Sequence, residues 1–151
     1  MNASRTWHPH VTVASLVARD GQLLLVEERI DGRLVLNQPA GHLEPGESLA
    51  QAAVRETLEE TGWHIRLHAL VGMYQWTTPG GRHYLRLAFA GEALHHDPER
   101  PLDAGIERAL WLTPDALQAQ AARHRSPLVW RTVADWQAGR RCPLELLGQV
   151  E

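Results

Sequence analysis

The chain has 151 residues, 44% of them apolar, and a net charge of −3, which fits one domain with its own core, spanning residues 1–151. Scattered arginines, with no lysine and no clustered basic face, argue against a nucleic-acid polymer as partner. No apolar run reaches the roughly 18 residues that a membrane helix needs, no signal segment leads the chain, and Cys142 is the only cysteine, so a cytoplasmic protein without a membrane partner is expected, as monomer or homodimer.

Residues 10–18 alternate with Val11, Val13 and Leu16 or Val17 apolar and predict a strand, and Asp20-Gly21 marks a hairpin turn into a second strand over 22–28. Asp31-Gly32 is a second such turn, after which 34–38 forms a strand that runs toward Gly41. Pro45 and Gly46 make 42–46 a loop. Ser48 with Gln51 fits a capping box, acidic Glu47 suits the start of the helix that follows, and Gly62 is placed for the left-handed position that ends it. Residues 63–76 and 84–93 read as strands joined by a Pro79-Gly80-Gly81 turn, and 106–112 as a shorter one. Thr113-Pro114 opens a helix to about Ala122, and Ser126-Pro127 opens another to about Ala138. The order implies an α+β fold, a mixed sheet sandwiched between helices in an α/β/α arrangement.

The chemistry concentrates in residues 41–63, GHLEPGESLAQAAVRETLEETGW. At about 100° per residue, Glu56, Glu59 and Glu60 share a sector of roughly 100° while Leu49, Ala50, Ala53, Val54 and Leu58 take the other side. Like charges at i,i+4, such as Glu56 and Glu60, destabilise a helix by about 0.2–0.5 kcal/mol, and a bound cation is the natural counter-charge. Carboxylates without thiolates or a histidine set select Mg²⁺, with Mn²⁺ as a substitute, over zinc.

Gly41, Glu47, Arg55, Glu56, Glu59, Glu60, Gly62 and Trp63 stand at the spacings of the Nudix hydrolase signature, and the segment resembles that family. Thr57 departs from it, standing where a bulky apolar residue is usual. The resemblance implies the Nudix fold. It also implies Glu56, Glu59 and Glu60 as metal ligands together with the Gly41 carbonyl, and Arg55 with Glu47 as a supporting ion pair that keeps loop and helix in register. Glu56 and Glu59, propped by Arg55 and Glu47, would carry catalysis: water attacks phosphorus of a diphosphate linkage while metal ions hold the phosphate oxygens and activate the water. Whether Glu56 serves as base or as ligand stays open. Glu107 is the first candidate for an additional carboxylate outside the signature, with Asp103, Glu92 and Asp97 as rivals.

Segments 7–14 (WHPHVTVA), 36–44 (LNQPAGHLE), 74–76 (YQW), 125–129 (RSPLV) and 142–146 (CPLEL) extend the resemblance to the NudJ-type phosphatases. Members of that group hydrolyse nucleoside di- and triphosphates, and hydroxymethylpyrimidine diphosphate from thiamine synthesis, with release of orthophosphate. The expected partner is therefore a small phosphorylated metabolite or nucleotide. Trp76 is the candidate to stack on its ring, and Asn37 and Gln38, which interrupt an apolar strand, are candidates to read a base or sugar edge or to satisfy buried backbone groups. His10 is a further candidate for the cleft, whereas His95 and His96 sit in an acidic stretch and read as solvated. The competing readings are a pyrophosphohydrolase acting on nucleoside triphosphates, ADP-ribose or dinucleoside polyphosphates, and a Nudix-fold nucleotide-binding module without catalysis. An intact carboxylate set argues against the module. The isopentenyl diphosphate isomerase of this fold relies on a catalytic cysteine, which Cys142 is too far along the chain to supply.

Overall fold

The two tight turns expected near the N-terminus set the architecture. In the computed structural model, which describes residues 6–150, Asp20 and Gly21 adopt φ of 50° and 75° and Asp31 and Gly32 of 49° and 77°. Positive φ at both central residues gives the turn twist that matches the strands on either side. They connect β1 (His10–Arg19), β2 (Gln22–Ile30) and β3 (Arg33–Asn37). A three-residue strand, β4 (Ala40–His42), follows and pairs antiparallel with β1, placing Gly41 opposite Val13. Its sequence reads only as an approach to a loop, because three residues are too few for an alternation to show. Residues 1–5 and 151, the ends of the expected domain, lie outside the described residues.

After the helix α1 (Leu49–Thr61) come β5 (Trp63–Thr77), β6 (His83–His96) and β7 (Ile106–Leu112). The strand order is β3-β2-β1-β6-β5, with β4 added on β1 and β7 on β2. The β1–β6 pair is parallel, its long connection running through α1 and β5, and every other pairing of these strands is antiparallel. β1 is buried without a break from Thr12 to Val17, the signature of a strand covered on both faces.

On one face Ala52 and Ala53 of α1 pack on Val13, Leu70, Leu87 and Phe89. On the other, Val129 and Val133 of the last α-helix pack with Leu16, Leu23, Leu25 and Leu36. The expected mixed sheet between helices is what forms. The helix after Thr113 is shorter than expected: α2 ends at Gln118, a 3-10 turn covers Ala121–Arg123, and α3 runs from Pro127 to Gln137. Tertiary contacts break the helix, since His124 bridges to Leu36 and the Arg125 N–H donates to the Leu36 carbonyl at 2.8 Å. Among the described residues no helix is long and apolar enough to cross a membrane.

Candidate active site

The start and end of α1 are set locally. The Ser48 side chain accepts from the Gln51 N–H, the Gln51 side chain accepts from the Ser48 N–H, and Gly62 takes the left-handed conformation at φ 74°. Thr57 is fully buried, and its hydroxyl donates to the Ala53 carbonyl at 2.8 Å, so its one polar group is satisfied inside the helix.

Arg55 is the hub of the polar face. Its Nε and Nη2 grip both oxygens of Glu47 at 2.9 and 2.7 Å, and Nη2 also donates to the His42 carbonyl at 3.0 Å, tying the loop before α1 to the helix. The fork holds the Glu47 carboxyl below its ordinary range. Nη1 reaches Glu56 at 2.8 Å and Glu59 at 3.2 Å. A local counter-charge for the stacked glutamates therefore exists within the helix itself, where the sequence pattern had suggested only a cation.

Glu56, Glu59 and Asp103 each bring a carboxylate oxygen to within 4.8 Å of the others. Two come from α1 and the third from the β6–β7 loop, which is docked by the Asp103 N–H donating to the Glu59 carbonyl at 3.0 Å. Three convergent hard oxygen donors suit Mg²⁺ or Mn²⁺. Burial raises the Glu56 carboxyl above its ordinary pKa, against the pull of Arg55, as befits a group that would shed that penalty beside a cation. Gly41 lies against this carboxylate, and a Cβ there would run into it.

Glu60 is placed differently from its two helical companions. Only 8% exposed, it accepts the Ala40 N–H at 2.7 Å, and burial pushes its pKa up to about 8. Glu107 stands apart from the cluster, on β7, where it pairs with Arg29 at 2.7 Å; of the sequence candidates for an outside carboxylate, Asp103 is the one brought to Glu56 and Glu59.

Gly41, which lies against the Glu56 carboxylate, and Ala40, whose N–H donates to Glu60, also line a cleft of about 650 Å³. That volume suits a metabolite or nucleotide. Trp76 and Asn37 line the cleft wall, as do His42, Tyr84, Arg86 and Arg125. Gln38 is only 1% exposed and lies behind the wall, its amide donating to the Val129 carbonyl at 2.8 Å. His10 reaches the cleft indirectly, 3.1 Å from His42 and stacked on Tyr84. His95 and His96 are remote from it, each stacked on an aromatic partner of β5, His64 and Trp63. Sequence reading missed Arg86, although an arginine within the apolar run 85–90 (LRLAFA) is the kind of interruption that drew attention to Asn37 and Gln38.

A family model described as the NUDIX domain matches residues 6–131. Phosphatase NudJ of Escherichia coli K12 is 43% identical over 140 residues, covering 93% of this chain and 91% of that protein. A solved structure of a NUDIX hydrolase from Nitrosomonas europaea superposes with a TM-score of 0.92 at 48% identity, covering 95% of this chain and 98% of that one. A MutT NUDIX hydrolase from Burkholderia pseudomallei, at 22% identity and a TM-score of 0.68 over 87% of this chain and 98% of its own, shares the fold.

Proposed function

Because the chain belongs to the Nudix hydrolase family, we propose that it is a Mg²⁺-dependent phosphatase of nucleoside di- and triphosphates and of hydroxymethylpyrimidine diphosphate, releasing orthophosphate. The observation that carries this reading is the convergence of Glu56, Glu59 and Asp103 beside a metabolite-sized cleft that also presents Arg82 and Arg125. The similarity to a protein named phosphatase NudJ over nearly the whole of both chains supports the choice of orthophosphate as product. A divalent cation held by these carboxylates would neutralise phosphate oxygens and favour ionisation of the attacking water. Glu56 and Glu59 act as its ligands with Asp103, and the Gly41 carbonyl and Glu60 complete the set. Glu56, lifted in pKa by burial, also suits a base. Arg55 and Glu47 act by orientation, keeping the Glu56 and Glu59 oxygens and the His42 carbonyl in fixed relation. Trp76 and Asn37 contact the organic group, and Gln38 holds its neighbours from behind. A cytoplasmic location belongs to the same reading, supported by the lone Cys142.

Orthophosphate release from a panel of nucleotides with Mg²⁺ tests it. Glu59→Gln should lower kcat by about 100-fold or more, the scale seen when a group stabilising transition-state charge is lost. A variant within a few fold of the parent refutes the metal assignment. Pyrophosphate or nucleoside monophosphate as the first product from a triphosphate would instead establish the pyrophosphohydrolase reading.

A further inference from the structure

Arg86 is a buried cation that the protein leaves incompletely partnered. It is 4% exposed, lines the cleft, and no carboxylate among the described residues lies within ion-pair distance of it. Its Nε is buried with no hydrogen-bond acceptor. Native interiors rarely leave such a donor unmatched, so the guanidinium is under-partnered by its own chain.

Its orientation is imposed in sequence. The Val129 carbonyl can only accept, so it takes the Gln38 amide N–H at 2.8 Å and turns the Gln38 Oε1 to Arg86, which donates to it through Nη2 at 3.2 Å. The same Nη2 donates to the Asn37 Oδ1 at 3.3 Å, which leaves the Asn37 NH₂ free to donate elsewhere. With Nη2 spent on two neutral amides and Nε buried, neither bidentate edge of the guanidinium is open to a phosphate. What remains is Nη1 and the Asn37 NH₂, two donor groups with no hydrogen bond of their own among the described residues, on side chains already in contact through Nη2 and Oδ1. On the neighbouring wall Trp76 and Tyr84 stack at 5.9 Å between centroids, an aromatic platform for a planar ring. Arg82 and Arg125, both exposed at the same cleft, are left for the phosphates.

We propose that Arg86, held by Asn37 and Gln38, is a specificity-determining residue that together with the Asn37 amide donates to adjacent acceptors, a carbonyl oxygen and an unprotonated ring nitrogen, on the heterocycle of the substrate. This rests on the cleft being the nucleotide site proposed above. Heterocycles with two neighbouring acceptors, such as the N3/O2 edge of cytosine or the N7/O6 edge of guanine, match the donor pair, and a diphosphate without a ring gains nothing from it.

Equilibrium binding to metal-free protein tests this separately from turnover, with methylene-bridged analogues of CDP and GDP against methylenediphosphonate, which has the phosphates and no ring. The parent should bind the better-fitting nucleotide analogue more tightly than methylenediphosphonate. Arg86→Met, close in length and apolar, should weaken the nucleotide analogue by about 10- to 100-fold, the value of a paired base-edge contact, and leave methylenediphosphonate within two-fold. Asn37→Ala serves as a second variant with the same pattern, and thermal melts verify that both fold. Equal weakening of both ligands makes Arg86 a phosphate anchor and overturns the proposal. Unchanged binding of both, or a parent that prefers neither nucleotide analogue over methylenediphosphonate, overturns it too. Failure of Mg²⁺-dependent turnover by the parent would count against the hydrolase reading and is read in a different assay.

Discussion

Glu60 shows how far a residue's role depends on what its carboxyl meets. By helical position it is equivalent to Glu56 and Glu59, yet it lies 8% exposed against the Ala40 N–H, and burial pushes its pKa from 4.5 up to about 8. Between those two values the unfolded chain has given up a proton that the folded, metal-free protein still holds, so this group makes stability fall as pH rises through the window. Glu60→Gln keeps an oxygen for the Ala40 N–H and removes the ionisation. In EDTA the variant should match the parent near pH 4.5 and exceed it at pH 8 by about 1–3 kcal/mol, as thermal melts at the two pH values will tell. A parent that loses no more stability than the variant between them contradicts the assignment. Gly41 is the opposite kind of residue: its requirement comes from the Glu56 carboxylate filling the space a Cβ would need. The signature made both positions legible as special, but the reason in each case is a contact between segments, which spacing does not contain.

Elements whose ends are decided by near neighbours were readable, and those decided by distant contacts were not. The α1 limits follow from Ser48, Gln51 and Gly62 alone, and the two hairpins from Asp-Gly pairs. β4 exists because β1 offers it an edge, and α2 stops early because residues 124 and 125 are captured by β3. α3 began where Ser126-Pro127 indicated, but its place on the sheet is fixed by side chains that no local pattern couples. The Tyr74 hydroxyl on β5 donates to Asp135 at 2.8 Å, and Arg131 holds the same carboxylate at 3.0 Å. Burial, with the carboxylate, pushes Tyr74 up to about 12, so it remains a donor. Tyr74→Phe should cost about 1.5–3 kcal/mol in urea unfolding, the worth of a hydrogen bond to a charged group. Because Val129 of α3 also orients Gln38, a loosened helix should raise KM for nucleotides more than it lowers kcat. No change in either quantity would mean that α3 is held by its apolar face alone.

At the scale of the molecule, the candidate site is a junction between segments far apart in the chain. α1 supplies Glu56 and Glu59 as a block that a local motif can encode, and the β6–β7 loop supplies Asp103. In that loop Asp97, Glu99 and Asp103 are indistinguishable by composition. What singles out Asp103 is the backbone docking of the loop on the end of α1, through Asp103 to Glu59 at 3.0 Å and Asp97 to Gly62 at 2.8 Å. Glu107 is instead delivered by β7 to Arg29, with which it pairs at 2.7 Å. A cation bridging helix and loop would close this junction, and binding to the folded state alone stabilises by linkage: at 100 times Kd the gain is about 2.7 kcal/mol. Mg²⁺ should therefore raise the melting temperature of the parent. Asp103→Asn removes one ligand charge but also relieves repulsion among three crowded carboxylates, so the metal-free variant should be at least as stable as the parent while its Mg²⁺ increment falls below half. Melting curves of both proteins in EDTA and across a Mg²⁺ titration separate the two effects. An undiminished increment in the variant would leave the metal with α1 alone and make the docked loop a wall of the cleft rather than part of the centre.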